Sequence, residues 1–337
     1  MGSTAYEAAV QTEIRLTPED VLVLVAEPLA EVEKEFRRNL DSQLNVISEM
    51  GTHIAESGGK RIRPALLLLA SRACGYEGRH DILFAAVFEF IHTATLVHDD
   101  VIDEADFRRG RSSVNSRWGN TSTILFGDYL YSRSLSMALA GENLRILGLM
   151  SRVTLQMIEG ELMQTRSIGR LDLSEEGYLD MISRKTARMF SGCCEAAGLL
   201  AQREEWLGPL AAYGQGVGVA YQLVDDLLDL TSHREVVGKP VASDLREGKL
   251  TLPVIDLLSR RPSLKATIQR IVDRPDDSTE SYGRLMASLH EEGCIQRTHA
   301  RALREAAAAR EALAGLPAST YRDALQALPD LLVSRKF

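Results

Sequence analysis

Apolar residues along this chain recur at intervals of three and four over nearly its whole length, the spacing that lines one face of an α-helix. Signals for strands are almost missing: β-branched residues do not cluster at period two, and no Asn-Gly or Asp-Gly pair joins two alternating runs. Helix boundaries are written in the usual residues. "TPED" offers Thr17 as N-cap with Pro18 at the first helical position, and Pro28 opens the next helix. "RTHARALREAAAAREALAGLP" runs helically to Gly315, with Pro317 beyond. The longest nearly apolar window, residues 82–97, is short for a membrane span and carries Glu89 and His92, so it predicts a buried helix. Residues 273–280 and the longer Gly- and Pro-marked stretch 232–249 are connections without the composition of a domain linker. The pattern predicts one all-α bundle, a single domain over residues 1–337, with residues 1–16 only loosely ordered.

Two stretches break this pattern in the same way. "LVHDDVID" (96–103) and "LVDDLLDL" (223–230) each set three carboxylates into a helix of otherwise apolar flanks. Like charges four apart on a helix repel by roughly 0.2–0.5 kcal/mol per pair, and burial adds to that cost. Asp99 and Asp103 share one face, as do Asp225 and Asp229, while Asp100 and Asp226 sit about 100° round from their neighbours. If the two helices face each other, the six carboxylates converge on one cavity. At an effective dielectric of about 20, two such charges 4 Å apart repel by on the order of 4 kcal/mol, so the cavity needs cations. Hard oxygen ligands with no His or Cys partner suit Mg²⁺, which keeps waters and shares its remaining positions with substrate phosphates. A diphosphate is the natural guest.

Charge and composition narrow the guest further. With 39 basic against 47 acidic residues the net charge is −8, which argues against binding nucleic acid through phosphate neutralisation, so any basic function is local. Basic groups do gather in short stretches. "SGGKRIRP" puts Lys60, Arg61 and Arg63 after a glycine pair, "FRRG" brings Arg108 and Arg109 back beside the first acidic cluster, and Arg suits bidentate phosphate contact. "RKT" offers Lys185 and Thr186, and the long connection offers Lys239 and Lys249. The four cysteines show no CxxC pair and no disulfide spacing, which fits a reduced cytosol. Cys193 and Cys194 are expected to be small packing residues. The N-terminal stretch has neither a signal peptide's n- and h-regions nor a transit peptide's Arg-rich character, so the expected location is cytoplasmic.

These segments together resemble the trans-isoprenyl diphosphate synthases, also called polyprenyl synthetases. The resemblance runs from "GGKRIRP" through "EFIHTATLVHDDVIDEADFRRG", "FGDYLYSR", "GELMQ", "RKTARMF" and "YQLVDDLLD" to "GKLTLP". It implies an all-α fold with a deep central apolar cavity and the two Asp clusters on facing helices at its mouth. It also implies Asp99, Asp103 and Asp225 as principal Mg²⁺ ligands, with Asp100, Asp226 and Asp229 supporting, and three ions when diphosphate is bound. Isopentenyl diphosphate would be held by Gly59, Lys60, Arg63, His92 and Arg109. The allylic diphosphate would be held through magnesium and by Arg108, Lys185, Thr186, Gln222, Lys239 and Lys249. His92 lies seven residues before Asp99, two turns down the same face; His98 is expected to point elsewhere and has no assigned role. Two departures stand out. The family's Gly-Lys, two residues, Gly loop here has Pro240 after Lys239 and Ala242 in place of the last Gly, and Tyr221 stands where Phe is common.

The resemblance also bears on the product. Large aromatics four and five residues before the first Asp stop the chain early in this family; here those residues are Thr95 and Ala94, both small. The expected product is therefore a long-chain polyprenyl diphosphate of the octaprenyl type or similar, a lipid made by an enzyme without a membrane anchor. Ile91 and Phe88, one turn further down, and Met137 on a following helix are candidates for the cavity floor. A medium-chain farnesyl or geranylgeranyl synthase is the nearest alternative. An HD-type phosphohydrolase is suggested only by the adjacent His98 and Asp99. A terpene cyclase fits poorly because the second cluster is all aspartate, and a degenerate regulatory subunit fits poorly because both clusters are intact. Members of the family form homodimers, and the same is expected here.

Overall fold

A computed structural model describes residues 17–231, 242–274 and 279–334. The N-terminal half comprises helices α1 (Pro18–Val23), α2 (Ala26–Leu40), α3 (Asn45–Glu56), α4 (Ile62–Ala73), α5 (His80–Ile102), α6 (Val114–Trp118) and α7 (Asn120–Ala140). There follow α8 (Leu144–Ser167), α9 (Glu175–Ile182), a π-helical turn Ser183–Ala187, α10 (Arg188–Leu200), α11 (Glu204–Thr231) and the short α12 (Ser243–Arg246). The C-terminal part is α13 (Leu252–Arg260), α14 (Lys265–Asp273), α15 (Thr279–Glu291), α16 (Cys294–Ala312) and α17 (Thr320–Val333). The all-α expectation holds.

Local chemistry sets the boundaries. Thr17 closes a capping box with Asp20 ahead of Pro18, and the side chains of Ser113, Asn143, Ser174 and Ser319 cap α6, α8, α9 and α17. Pro28 falls inside the first turn of α2, which starts at Ala26. α16 ends at Ala312, with Gly315 two residues past the cap. The connection 232–249 holds α12 within its described part, while Lys239 and Pro240 lie outside the described residues. One strand pair was missed: Phe107–Arg108 pairs antiparallel with Arg111–Ser112. Its two central residues, Arg109 and Gly110, both have positive φ (52° and 76°), the backbone of a type I′ turn. The Arg-Gly pair in "FRRG" carries that signal, although only Gly110 adopts such angles without strain.

The core falls into two clusters. The larger joins α2, α4, α5, α7, α8 and α10, and the smaller surrounds the C-terminal half of α11 together with α13–α16. α11 belongs to both, contributing Leu210, Tyr213 and Val217 to one and Leu223, Val224 and Leu227 to the other. α5 is apolar on all sides from Phe84 to Ile91 except at Glu89, which is paired with Arg61, and accordingly lies in the interior, flanked by α2, α4 and α7. It is the one helix among the described residues long and apolar enough to cross a bilayer, yet 67% of that window is buried inside the fold.

Close approach around the π turn depends on absent side chains. A Cβ on Gly218 would lie 2.4 Å from Ala187 Cα, one on Gly214 would lie 2.5 Å from Phe190 O, and one on Gly160 would lie 2.4 Å from Lys185 N. Helices α8 and α11 therefore clamp the turn from two sides at backbone contact distance. Gly218→Ala should lower unfolding stability by about 1–3 kcal/mol, as overpacking against backbone does. Urea unfolding measures this, and an unchanged midpoint would show that the turn is not held this tightly.

Candidate active site

Between α5 and α11 lies a cavity of about 1100 Å³. Its lining combines polar and charged side chains with an apolar set, Leu96, Ile124, Met157, Ile158 and Leu162. Asp99 lines it from α5 and Asp225 from α11, so the two acidic helix faces do meet across one space.

The expectation that all six carboxylates converge there is corrected by the structure. Asp100 is 3% exposed and accepts a hydrogen bond from Arg108 Nε. Asp226 is 4% exposed and accepts from Tyr178 Oη and, at 2.7 Å, from Gln222 Nε2. Asp229 accepts from Ser243 Oγ and from the Asp244 backbone N–H at 3.1 Å, anchoring α12. None of these three lines the cavity. For Asp100 and Asp226 the 100° turn from Asp99 and Asp225 carries the side chain to inward partners, whereas Asp229, on the same face as Asp225, is drawn off by Ser243 and Asp244. Asp103, the C-cap of α5, is likewise not among the lining residues; Lys249 Nζ donates to it at 2.8 Å and also to Glu247 at 2.8 Å. Burial opposes the charge on Lys249, but these two bonds outweigh it and raise its pKa above the ordinary lysine value.

The basic groups arrive from four elements. Gly59, Lys60 and Arg63 line the cavity at the start of α4. Arg63 donates Nη1–H to His92 Nε2 at 3.0 Å and stacks over the Phe190 ring at 4.7 Å, with its buried Nε lacking a partner. His92 is held well below the usual histidine range, first by burial and then by Arg63, Arg109 and Arg108, so it is neutral and can accept that bond. Arg61, by contrast, is tied to Glu33 and Glu89 and has a left-handed backbone (φ 47°), which makes it part of the frame. The hairpin turns Arg109 back to the Gly58 carbonyl, with Nη1 only 2.8 Å from where a Cβ on Gly59 would sit, so the glycine leaves room for the guanidinium. Lys185 and Thr186 reach the cavity from the π turn, and Gln222 from α11. Lys185 pairs with Glu161 at 2.5 Å and donates to Gln164 at 2.5 Å. Ala242 adopts the left-handed backbone (φ 54°) that the family's glycine at this loop position suits.

Sequence reasoning missed Glu161 and Gln164. Both sit in the quoted "GELMQ", and the available signal was a lone acid one residue after a glycine on a helix carrying apolar cavity residues. His98 also lines the cavity, contrary to expectation; its Nε2–H donates to the Ile124 carbonyl at 3.1 Å, and Gly127 makes room for the ring. Among the chain-length candidates Thr95 lines the cavity, whereas Ala94, Ile91, Phe88 and Met137 are buried in the packing around it. The four cysteines are free and buried, and burial pushes the Cys193 and Cys194 thiols above their ordinary pKa.

A family and its solved structures match this arrangement. The profile of the polyprenyl synthetase family matches residues 44–289. The chain belongs to the polyprenyl synthetase family. It is 38% identical over 319 residues to octaprenyl diphosphate synthase of Escherichia coli (strain K12), covering 94% of this chain and 98% of that one. Its fold matches the crystal structure of a decaprenyl diphosphate synthase from Rhodobacter capsulatus (TM-score 0.89, 36% identity, 94% and 99% of the two chains). It matches equally a polyprenyl synthase from Caulobacter crescentus CB15 complexed with calcium and isoprenyl diphosphate (TM-score 0.90, 32% identity, 95% and 98%).

Among the described residues no three His, Cys, Asp or Glu side chains converge closely enough to hold an ion by themselves. Carboxylates on opposite walls nevertheless fit this polyprenyl synthetase to a hard divalent cation whose remaining ligands are water and phosphate oxygens. Burial, Glu161 and Asp103 together push Asp99 up to about 7 against the pull of Lys185; burial likewise pushes Asp226 up to about 7 despite its two donors. For a carboxylate raised in this way the folded state binds protons that the unfolded chain, near 3.8, does not. Stability of the metal-free protein should therefore fall as pH rises from about 4 through about 7. A thermal midpoint in EDTA that is higher near pH 5 than near pH 8 is the expected result.

Proposed function

We propose that this protein extends an allylic diphosphate by head-to-tail 1′-4 condensation with isopentenyl diphosphate, giving a long-chain all-trans polyprenyl diphosphate of octaprenyl or similar length. The observation that carries this reading is the pairing of Asp99 and Asp225 across one cavity whose lining combines cationic side chains with apolar ones. The near-full-length similarity to an octaprenyl diphosphate synthase supports the long product.

Magnesium, held by Asp99, Asp103 and Asp225 and numbering three ions with diphosphate bound, would supply charge neutralisation for the departing diphosphate. The protein's own groups do the rest. Lys185, Thr186 and Gln222 hold the allylic diphosphate from the π turn and α11, and Arg108 from the hairpin after α5, joined by Lys249 and by Lys239, which lies outside the described residues. Arg63, with its unpartnered Nε, takes isopentenyl diphosphate together with Gly59, Lys60, Arg109 and neutral His92. The allylic carbon–oxygen bond breaks, the double bond of isopentenyl diphosphate attacks the allylic carbon, and the released diphosphate takes the proton that leaves. The apolar lining of Leu96 and Met157 keeps water from the electron-poor carbon and receives the growing chain.

A shorter product is the remaining alternative, and Thr95 at the cavity wall bears on it because its small side chain leaves the passage open. The phosphohydrolase alternative loses support because His98 is hydrogen-bonded to α7. Leu155, Ile158 and Leu162, 51–59% exposed along one face of α8, beside exposed Ile124 and Leu125 of α7, support assembly as a homodimer. Free, buried cysteines fit a cytoplasmic location.

Incubation with radiolabelled isopentenyl diphosphate, farnesyl diphosphate and Mg²⁺ should give a long-chain product on chromatography. Asp99→Ala and Asp225→Ala should each cut turnover by at least about a thousandfold, with the helical circular dichroism retained. Undiminished turnover in either variant would remove that carboxylate from the site. Thr95→Phe should shorten the product, and an unchanged chain length would place the growing chain elsewhere.

A further inference from the structure

Arg61 stands in the basic run "GGKRIRP" and lines the cavity, yet two carboxylates already hold it. Its Nε donates to Glu33 of α2 and its Nη1 to Glu89 of α5, while the guanidinium lies 5.5 Å from the centre of the Phe36 ring. One cation between two acids leaves the trio negative, so it offers an incoming diphosphate no net attraction. What it does offer is a cross-link between helices. Arg61 precedes α4 with a left-handed backbone (φ 47°, ψ 33°), a conformation that an arginine keeps only where its surroundings hold it.

The start of α4 is fastened to α5 twice. Arg61 is bound to Glu89, and Arg63 Nη1 donates to His92 Nε2 at 3.0 Å, one helical turn further along α5. The two links differ in what a substrate does to them. Arg63 and His92 are themselves the groups assigned to isopentenyl diphosphate, and phosphate oxygens compete for their donors. The Arg61–Glu89 link joins opposite charges, with Glu89 only 6% exposed, and an arriving anion has no reason to break it. It is the link that stays while the other turns to the ligand, and it lies apart from the π turn and α11, where the allylic groups sit.

We propose, resting on the reading of Lys60, Arg63 and His92 as isopentenyl-diphosphate contacts, that Glu89 is a positioning residue for that site: through Arg61 it fixes the start of α4 on α5 and so sets the spacing of those three groups. Glu89 also attracts Arg109, so two variants separate its charge from its hydrogen bond. Glu89→Gln and Glu89→Leu remove the same charge, but only glutamine keeps an acceptor for Arg61. The KM for isopentenyl diphosphate should rise about tenfold in Glu89→Leu and less than about threefold in Glu89→Gln, with the allylic KM changing less than about twofold in both. Circular dichroism and the thermal midpoint report whether the fold is retained. The double variant Arg61→Met/Glu89→Leu leaves neither partner of the link as an unpaired charge, and it stands in should Glu89→Leu fold poorly. Its KM should show the same rise of about tenfold and no more, because both changes remove one link. Equal rises in Glu89→Gln and Glu89→Leu would make charge alone the cause, and a further rise in the double variant would make Arg61 a direct phosphate contact; either overturns the proposal. Parallel rises in both KM values would reduce Glu89 to a core ion pair and overturn it as well. If Arg63→Met raises the isopentenyl-diphosphate KM and Glu89→Leu does not, the positioning role alone fails. An unchanged KM in Arg63→Met would sink the contact reading and the proposal with it.

Discussion

Everything in this fold answers to one electrostatic constraint: carboxylates on two helices face each other across a space whose lining is partly apolar. In water such charges would be screened, but here burial already drives Asp99 toward the protonated form. The protein meets the constraint by stationing cations against acids. Lys249 sits on Asp103, Lys185 on Glu161 and Arg108 on Asp100. These are the same cations assigned to the allylic diphosphate. An anion arriving with divalent metal would meet groups already in position: Lys185 and Lys249 stand paired with acids and would be free to turn to phosphate oxygens once a metal drew those acids, while Arg108 stays held by Asp100. Binding costs little reorganisation because the charges are already arranged in opposed pairs.

The cavity's shape follows from packing at backbone distance. Gly160 and Gly218 let α8 and α11 close on the π-helical turn, and that wider turn aims Lys185 and Thr186 at the cavity rather than along the helix. α11 is shared between both halves of the core, so the second acidic cluster cannot drift relative to the first without breaking one of them. The rigidity of the cavity wall is thus carried by glycines and leucines that bear no charge themselves.

Much of this was legible in the residues alone, for physical reasons. Apolar spacing of three and four exposed the helices, and the chemical cost of six aspartates among leucines and valines pointed to metal and diphosphate before any coordinate was known. What could not be read was side-chain direction. His98 was expected to point away and lines the cavity, because its ring turns into the gap left by Gly127 on a helix distant in sequence. Ile91 and Phe88, plausible as a floor by helix rise alone, pack into the surrounding core because neighbouring helices, invisible to periodicity, cover that face. The hairpin behind Arg108 and Arg109 escaped notice since a two-residue strand has no pattern to show. Glu161 sat unremarked in a matched segment because one acid on an amphipathic helix looks like any solvated face.

The doubled aspartate in each cluster has a structural explanation that neither helix geometry nor metal chemistry supplies by itself. Where two acids are adjacent, the 100° turn between them points one into the cavity and the other into the protein. Asp99 and Asp225 take the first role. Asp100 and Asp226 take the second, and each grips an element that carries a substrate group: Asp100 holds Arg108 on the hairpin, and Asp226 holds Gln222 and, beyond it, Thr186. Asp229 does the same one turn on, fixing the start of the segment that delivers Lys249. Two charges side by side are expensive, but one of them is neutralised or hydrogen-bonded from within, so the repulsion left for the cation is that of the outward pair. The inward acids thus tie the position of each cavity-facing carboxylate to the positions of the cationic and polar groups around it, making both parts of a single rigid unit.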